Sequence, residues 1–500
     1  MRIWRVVESS EPPTQYYIPH HGVLRPDKLT TKLRVVFNAS SPTTTGISLN
    51  DILMKGEVIE DVFQTISRFR RHKFAFTTDI QKMYRQIVVD PYQQDLQRIV
   101  WKTGSNAVVS VYRLKTVTYG MSNAPFLAIR TLQQLAEDEK SRFPLASEVL
   151  LHDIYMDDIV SGVPDLETAR RLQSLLRDVL QSCGMTLHKW SSNTPELLNI
   201  SLSTDVEHSF SVDTDLSVKT LGISWKPFQD RFVFEVSVSI KPSYTKREVL
   251  SFVARLYDPL GFLGPLLTRA KVLLQRVWQQ RLDWHDVLPS RIADEWKEFV
   301  TTMNCIEKVK IIRFIMTDTW LRIVLQGFAD ESEAAYGAVV YLQYFYQNNS
   351  AKVTILASKS RVAPFRVISI PPLELCACVL LAQLVQKIRS SLRLEISNIV
   401  LQTDSIIALA WLNTPANYLK TFIANRVSNV QRFTKNCCWT RVTSHLNLAD
   451  LVSRGLNPRD LPELKLCWSG HHFLNEVNCQ VDQNHPLWMN LCTLVSSRLV

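Results

Sequence analysis

The chain has 500 residues, 46% hydrophobic and 21% charged, the balance of a globular protein large enough for roughly two to four domains, each with a core. Its 57 Lys and Arg against 47 Asp and Glu leave a net charge of +10, the sign expected of a protein whose partner is a polyanion. Nine cysteines, an odd number without a CxxC pair or a Cys/His zinc spacing, argue against a disulfide framework or a zinc site, and the thiols read as reduced. The start, MRIWRVVESS, lacks a signal-peptide core, and no run reads as the roughly 20 apolar residues of a membrane helix; the expectation is a soluble intracellular protein without a membrane partner.

Residues 1–205 mix strands and helices. KLRVVFNAS (32–40), KFAFTTDI (73–80) and QRIVWKT (97–103) have strand composition, and apolar spacing predicts helices over 124–140 and 166–184. LHDIYMDDIVSGV (151–163) reads as a hairpin with Asp157 and Asp158 in its turn, since adjacent strand side chains point to opposite faces and reach one point only at a tight turn. Residues 206–319 change character, with VKTLGISWKP and DRFVFEVSV as strands and then a helical stretch interrupted at Pro259, Gly261, Gly264 and Pro265. From 320 to 456 the pattern is three strands (WLRIVLQGFAD, AAYGAVVYLQYF, KVTILASKS), then helix, strand, helix, strand and a short helix, a mixed sheet carrying helices. Residues 457–500 form a tail.

Two sets of acids stand out. Asp79 ends an apolar strand, and the hairpin can bring Asp157 and Asp158 alongside it. Three converging carboxylates suit phosphoryl transfer with two divalent metals, for which magnesium is apt because it takes hard oxygen ligands and shares substrate phosphates. The bland alternative for each acid is a solvated turn residue, a cap or an ion pair. The second set is Asp330, Glu374, Asp404 and Asp450, at the ends of successive elements of the last sheet, where they can converge on one edge. Glu374 as an acid of a helix's first turn, and Asp404 and Asp450 as caps, are the competing readings.

The YMDD box from Tyr155 to Asp158, with TTDIQKMY before it and TYGMSNAPF between the two, resembles reverse transcriptases in the order of their motifs. The resemblance implies that Asp79, Asp157 and Asp158 hold two Mg2+ or Mn2+ ions, that Lys32 and Arg34 of the fingers strand meet the incoming triphosphate, and that Lys189 in LHKWSSN lies near it. Gly120 would let the backbone approach template or nucleotide closely, and Tyr84 would form a gate beneath the incoming sugar. Asn38 stands where the family usually has an acid. Asp330, Glu374, Asp404 and Asp450 in this order resemble ribonuclease H, with its own two ions; His445 and Arg454 nearby are assigned no role.

More narrowly, YYIPHHGVLRPD, TKLRVVFNASS, SLNDILMKG, LHKWSSN, LGISWKP, LSFVARLYDPLGFLGP and PPLELCA resemble the polymerase region of BEL/Pao long-terminal-repeat retrotransposons. That implies an α+β and α/β multidomain chain: a right-hand polymerase with fingers and palm (1–205, starting inside the fingers) and thumb or connection (206–319), then a ribonuclease H-like mixed-sheet domain (320–456). Its partners would be an RNA template, a DNA primer, RNA–DNA hybrid and dNTPs, in a cytoplasmic particle or the nucleus, within a parent polyprotein carrying protease and integrase. KLCWSGHHFL (465–474) would lead towards that integrase, and no DTG or DSG triplet supports an aspartic protease here. A truncated or host-retained copy that binds nucleic acid without catalysis is the alternative.

Overall fold

The computed structural model describes residues 4–6, 14–26, 32–56, 61–198, 217–317, 319–348, 350–366, 368–464, 468 and 470. Most of KLCWSGHHFL therefore lies outside the described residues. The chain forms two compact units, the first from residues 1–65 and 72–212, the second from 66–71 and 213–500.

The first unit runs β1 (Trp4–Val6), β2 (His20–Leu24), β3 (Leu33–Phe37), α1 (Leu49–Ile52) and α2 (Val62–Phe69), whose last turn passes into the second unit. It resumes with β4 (Phe74–Ile80), α3 (Met83–Gln86), β5 (Arg98–Trp101), β6 (Ser110–Leu114), α4 (Ala124–Asp138), α5 (Pro144–His152), β7 (Ile154–Tyr155), β8 (Asp158–Val163), α6 (Leu166–Ser182) and β9 (Leu187–Ser192). The central sheet has the order β7-β8-β4-β9; β1-β6-β5 and the hairpin β2-β3 form the others. One core joins Phe76 and Ile80 of β4 to Leu132 of α4 and to Leu172 and Leu176 of α6. The helical spacing of Ala169, Leu172, Leu176, Val179 and Leu180 marks the face that α6 buries.

In the second unit, β10 (Val218–Thr220), β11 (Ile223–Lys226), β12 (Arg231–Val233) and, after three helices, β13 (Lys310–Ile312) make an antiparallel sheet in that order. VKTLGISWKP is thus a hairpin and not one strand, because Leu221 and Gly222 turn the chain at positive φ. The helices are α7 (Lys246–Arg255), α8 (Gly264–Gln279) and α9 (Ser290–Thr301). β14 (Arg322–Glu331), β15 (Ala335–Phe345), β16 (Ala351–Val362), α10 (Ile370–Leu392), β17 (Asn398–Thr403), α11 (Ile406–Leu412), α12 (Thr421–Phe433), β18 (Cys438–Arg441) and α13 (Asp450–Arg454) follow. Their sheet has the order β16-β15-β14-β17-β18, antiparallel on one side of β14 and parallel on the other. α12 escapes sequence reading because it buries little beyond Val427 and Val430. α10 is long and apolar enough to cross a membrane by composition, contrary to the sequence reading, yet most of its apolar window is buried within the protein.

The interruption between α7 and α8 is itself built. Asp258 accepts the backbone N–H groups of Phe262 (2.9 Å) and Leu263 (2.6 Å), closing the DPLGFLGP loop. The loop docks on β16, where Ser358 N–H donates to the Leu260 carbonyl (2.9 Å) and the Ser358 hydroxyl to that of Gly261. Gly261 has φ +75°, and a Cβ there would stand 1.9 Å from the Ser358 carbonyl oxygen, so no other residue fits. Thr268 of α8 donates to the Val452 carbonyl of α13 (2.8 Å), which makes α8 part of the packing around the five-stranded sheet.

Residues 66–71 are held in the second unit by two buried arginines. Arg70 donates to the carbonyls of Leu356 (3.0 Å), Arg313 (3.3 Å) and Ile312 (3.4 Å), with its guanidinium 5.0 Å from the Phe262 ring centre. Arg313, whose side chain has no exposure, donates to the Phe69 carbonyl (2.5 Å) and with Nε and Nη2 to Asp230 (2.5 and 2.7 Å).

Candidate metal centres

The first centre follows from strand register. Asp79 of β4 pairs with Asp158 of β8, which in turn pairs with Tyr155 of β7. The turn therefore consists of Met156 and Asp157, with Met156 at φ +58°, and Asp158 is the first residue of β8, not a turn residue as the sequence suggested. The backbone N–H of Ile80 donates to the Asp157 carbonyl (2.8 Å), tying the turn to the end of β4.

On the other side of β4, the pairing with β9 shifts between Thr77 and Asp79, and Lys189 lies in the bulge at φ +55°. A bulge re-aims a side chain. Here it brings Lys189 Nζ to 3.0 Å from Asp79 Oδ2, while His188 Nδ1 lies 3.5 Å from Oδ1. The carboxyl of Asp158 is pushed up to about 7 by burial and by the neighbouring charges of Asp157 and Asp79; burial and Asp79 raise Asp157 as well. Tyr84, half-buried between both cores of the first unit, reaches Met156 Sδ at 4.0 Å, and its hydroxyl is raised by burial and by Asp157.

Asp79, Asp157, Asp158, Lys189 and Tyr84 are thus together. Lys32 and Arg34 are exposed on the β2–β3 hairpin, and no ion pair joins either to these carboxylates among the described residues. Gly120 has φ +92° and packs against β3, where a Cβ would lie 2.4 Å from the Phe37 carbonyl oxygen, so a close backbone approach within the protein accounts for the glycine.

The second centre lies at one edge of the five-stranded sheet. The parallel pairing of β14 and β17 ends at Ala329 and Thr403, so Asp330 and Asp404 follow at the same edge. Asn447 Nδ2 links them, donating to Asp330 Oδ1 (3.0 Å), Asp404 Oδ1 (3.4 Å) and the Ala329 carbonyl (3.0 Å). The Ser453 hydroxyl donates to Asp330 Oδ2 (2.5 Å). One carboxylate oxygen each of Asp330, Glu331 and Asp404 lie within 4.8 Å of one another. Glu331 is absent from the sequence-derived set, because strand alternation turns it away from Asp330.

Glu374 and Asp450 fall outside that group. Glu374 is in the second turn of α10, which starts at Ile370, and accepts the hydroxyl of Ser405, the N-cap of α11. Asp450 opens α13 and accepts Arg454 Nε (2.5 Å); His445 is exposed. Burial, with Asp404 and Asp450 nearby, pushes Asp330 up to about 7. Burial and the charges of Glu374, Asp330 and Asp404 push Glu331 up to about 8, and burial raises Glu374.

These shifts carry a sign. An acid whose folded value is raised keeps its proton where the unfolded chain has lost it, so stability falls as pH rises from about 4 towards the folded value. Asp158, Asp330 and Glu331 act in this sense up to about pH 7–8, and Asp258, partly buried and raised by desolvation to about 6, adds to the slope. The expected result is a melting temperature that drops between about pH 5 and pH 8 in EDTA and drops less with Mn2+ present. Equal slopes with and without the ion would count against metal binding at both centres.

Residues 27–195 match the reverse transcriptase (RNA-dependent DNA polymerase) family, and residues 245–405 match the Pao retrotransposon-like RNaseH-like domain. The chain therefore contains a reverse transcriptase domain followed by a Pao retrotransposon-like ribonuclease H-like domain. The second match begins at α7 and spans the DPLGFLGP loop as well as Asp330, Glu331, Glu374 and Asp404. No curated protein matches the sequence.

Among solved structures, the foamy viral protease-reverse transcriptase in complex with an RNA/DNA hybrid is similar over 86% of this chain and 51% of its own, with 13% identity and a TM-score of 0.55. The same foamy viral protein with dsDNA aligns over 88% of this chain and 80% of its own, with 13% identity and a TM-score of 0.54. A dRH form with ds DNA aligns over 88% and 67%, with 14% identity and a TM-score of 0.54. The chain spans about half the length of the first of these, and the likeness is one of fold.

Proposed function

We propose that the chain is an RNA-directed DNA polymerase that also cleaves the RNA of an RNA–DNA hybrid. The observation that carries this reading is the Asp79–Asp158 register within a reverse transcriptase domain, which gathers three carboxylates whose charges oppose one another. Two acids raised by burial and by their neighbours form a site of hard oxygen donors suited to Mg2+ or Mn2+. Asp330, Glu331 and Asp404 offer a second oxygen set, and the buried, undonated Oε2 of Glu331 fits a cation there. Bound at such sites, divalent ions supply Lewis-acid stabilisation of attacking and leaving oxygens in phosphoryl transfer.

The protein's own residues do the positioning. Lys189, on its bulge, holds Asp79 and is near enough to the acids to take a triphosphate oxygen; the exposed Lys32 and Arg34 are free to do likewise from the hairpin. The foamy viral proteins hold an RNA/DNA hybrid or dsDNA, and the net charge of +10 suits the same ligands here. The test is primer extension on RNA and DNA templates with Mg2+ or Mn2+, together with cleavage of a labelled hybrid. Binding without either reaction would favour the silent nucleic-acid-binding fragment.

Tyr84 sets sugar choice on this reading. Its ring is wedged between two cores beside Asp157, rigid enough to exclude a ribose 2′-hydroxyl by contact. Tyr84→Ala is expected to lower the kcat/KM ratio for dNTP over rNTP at least about tenfold, or about 1.4 kcal/mol of discrimination, while Tyr84→Phe keeps it. An unchanged ratio in active Tyr84→Ala protein would reduce Tyr84 to packing.

A further inference from the structure

We propose that Asn50 is a positioning residue for the incoming nucleotide, locking the stretch from Gly120 to Ser122 onto the end of β3. This rests on the polymerase reading above and deepens it. The side-chain amide of Asn50 is fully engaged: Oδ1 accepts the backbone N–H of Ser122 (2.8 Å), and Nδ2 donates to the Gly120 carbonyl (3.2 Å) and to the Ser40 hydroxyl (2.8 Å). A backbone N–H only donates and a carbonyl only accepts, so these partners fix the orientation of the amide and demand a donor and an acceptor on one side chain. The main chain of Asn50 repeats both connections. Its N–H donates to the Ala39 carbonyl (3.0 Å), and its carbonyl accepts the Ser122 hydroxyl (3.4 Å).

The helix that carries Asn50 has no other reason to stand. α1 is a single turn of four residues, too short to be stable by itself. It is held by Asp51, whose Oδ2 accepts the N–H (2.9 Å) and the hydroxyl (2.7 Å) of Ser48, and by Leu49, buried in one core with Ala39, Met121 and Ala124. Tyr84 packs against that same core. Asn50 thus joins the strand that carries Arg34 to the exposed Gly120, above the residues that seat Tyr84. With this clamp, the segments expected to meet the nucleotide keep one arrangement. Without it only a fraction of molecules holds the binding arrangement, and apparent affinity falls by that fraction while the acids of β4 and the YMDD hairpin keep their places.

The test is single-nucleotide primer extension by the full chain with Mg2+, over a range of dNTP and, separately, of primer–template, with melting curves to report folding. Asn50→Ala is expected to raise KM for dNTP at least about fivefold with kcat within about twofold of the parent. Asn50→Asp keeps an acceptor for Ser122 but sets an anion against the Gly120 carbonyl, so its KM rises as well, and it decides the matter if Asn50→Ala does not fold. A merely structural asparagine would lower the melting temperature and the active fraction, hence kcat, and leave KM alone. An unchanged KM for dNTP in a folded, active variant, or a rise confined to the primer–template, would overturn the inference and leave the polymerase reading standing. No extension by the parent chain would overturn the two together.

Discussion

Asp157→Asn is expected to abolish primer extension and to leave hybrid cleavage, and Asp404→Asn to do the reverse, if the proposed activities are the chain's own. The two acids belong to different sheets in different compact units, and each stands in its own group of acids. Each exchange removes one negative charge from a group of acids at nearly constant volume. If these acids hold transition-state metals, the loss is at least about 4 kcal/mol, on the order of a thousandfold in rate. Paired assays on one preparation, with melting curves as a control for folding, read the result. One substitution silencing both reactions in a folded protein would sink the assignment of two separate centres.

The second large effect is on stability. Asp230→Ala removes the carboxylate that takes Nε and Nη2 of Arg313 and also accepts the indole N–H of the fully buried Trp225 (3.1 Å). A guanidinium with no exposure then loses its counter-charge, and breaking such a pair costs about 3–5 kcal/mol. Asp230 keeps some exposure, which places the expectation near the lower figure. Asp230→Asn should cost less, since Asn tolerates the φ of +51° and can still accept from Trp225. Urea unfolding followed by tryptophan fluorescence measures both. A loss under about 1 kcal/mol would mean that the pair behaves as a surface ion pair.

How far the sequence discloses this arrangement depends on the range of each signal. The YMDD hairpin and the end of β4 are local patterns, and pairing the two needs only that neighbouring strands of the same motif order meet. The three strands and α10 of the last sheet are equally plain, because their apolar runs are long and bounded by turns. Lys189 is harder: its lysine is visible, but the bulge that turns it onto Asp79 has no signature in LHKWSSN. Glu331 is missed because alternation sets it on the opposite face from Asp330, and the end of the β14–β17 pairing two residues before it leaves no mark in the sequence. The membership of residues 66–71 in the second unit is hidden altogether, since ISRFRR looks like the solvated end of a helix and its buried partners lie some 240 residues later.

That last feature bears on the order in which the protein can be finished during synthesis. Arg70 is made early, yet the Leu356 carbonyl it needs follows 286 residues later, roughly 15–60 s at about 5–20 residues per second. Over that interval a guanidinium destined for full burial has to stay in water, and α2 cannot complete its last turn in its final surroundings. A ribosome stalled before Ile312 would carry a chain in which the YMDD hairpin, β4 and β9 have all emerged while the stretch just ahead of β4 still waits for its site. The ribonuclease H-like unit is thus the last to close, and it closes around residues translated before the polymerase acids themselves.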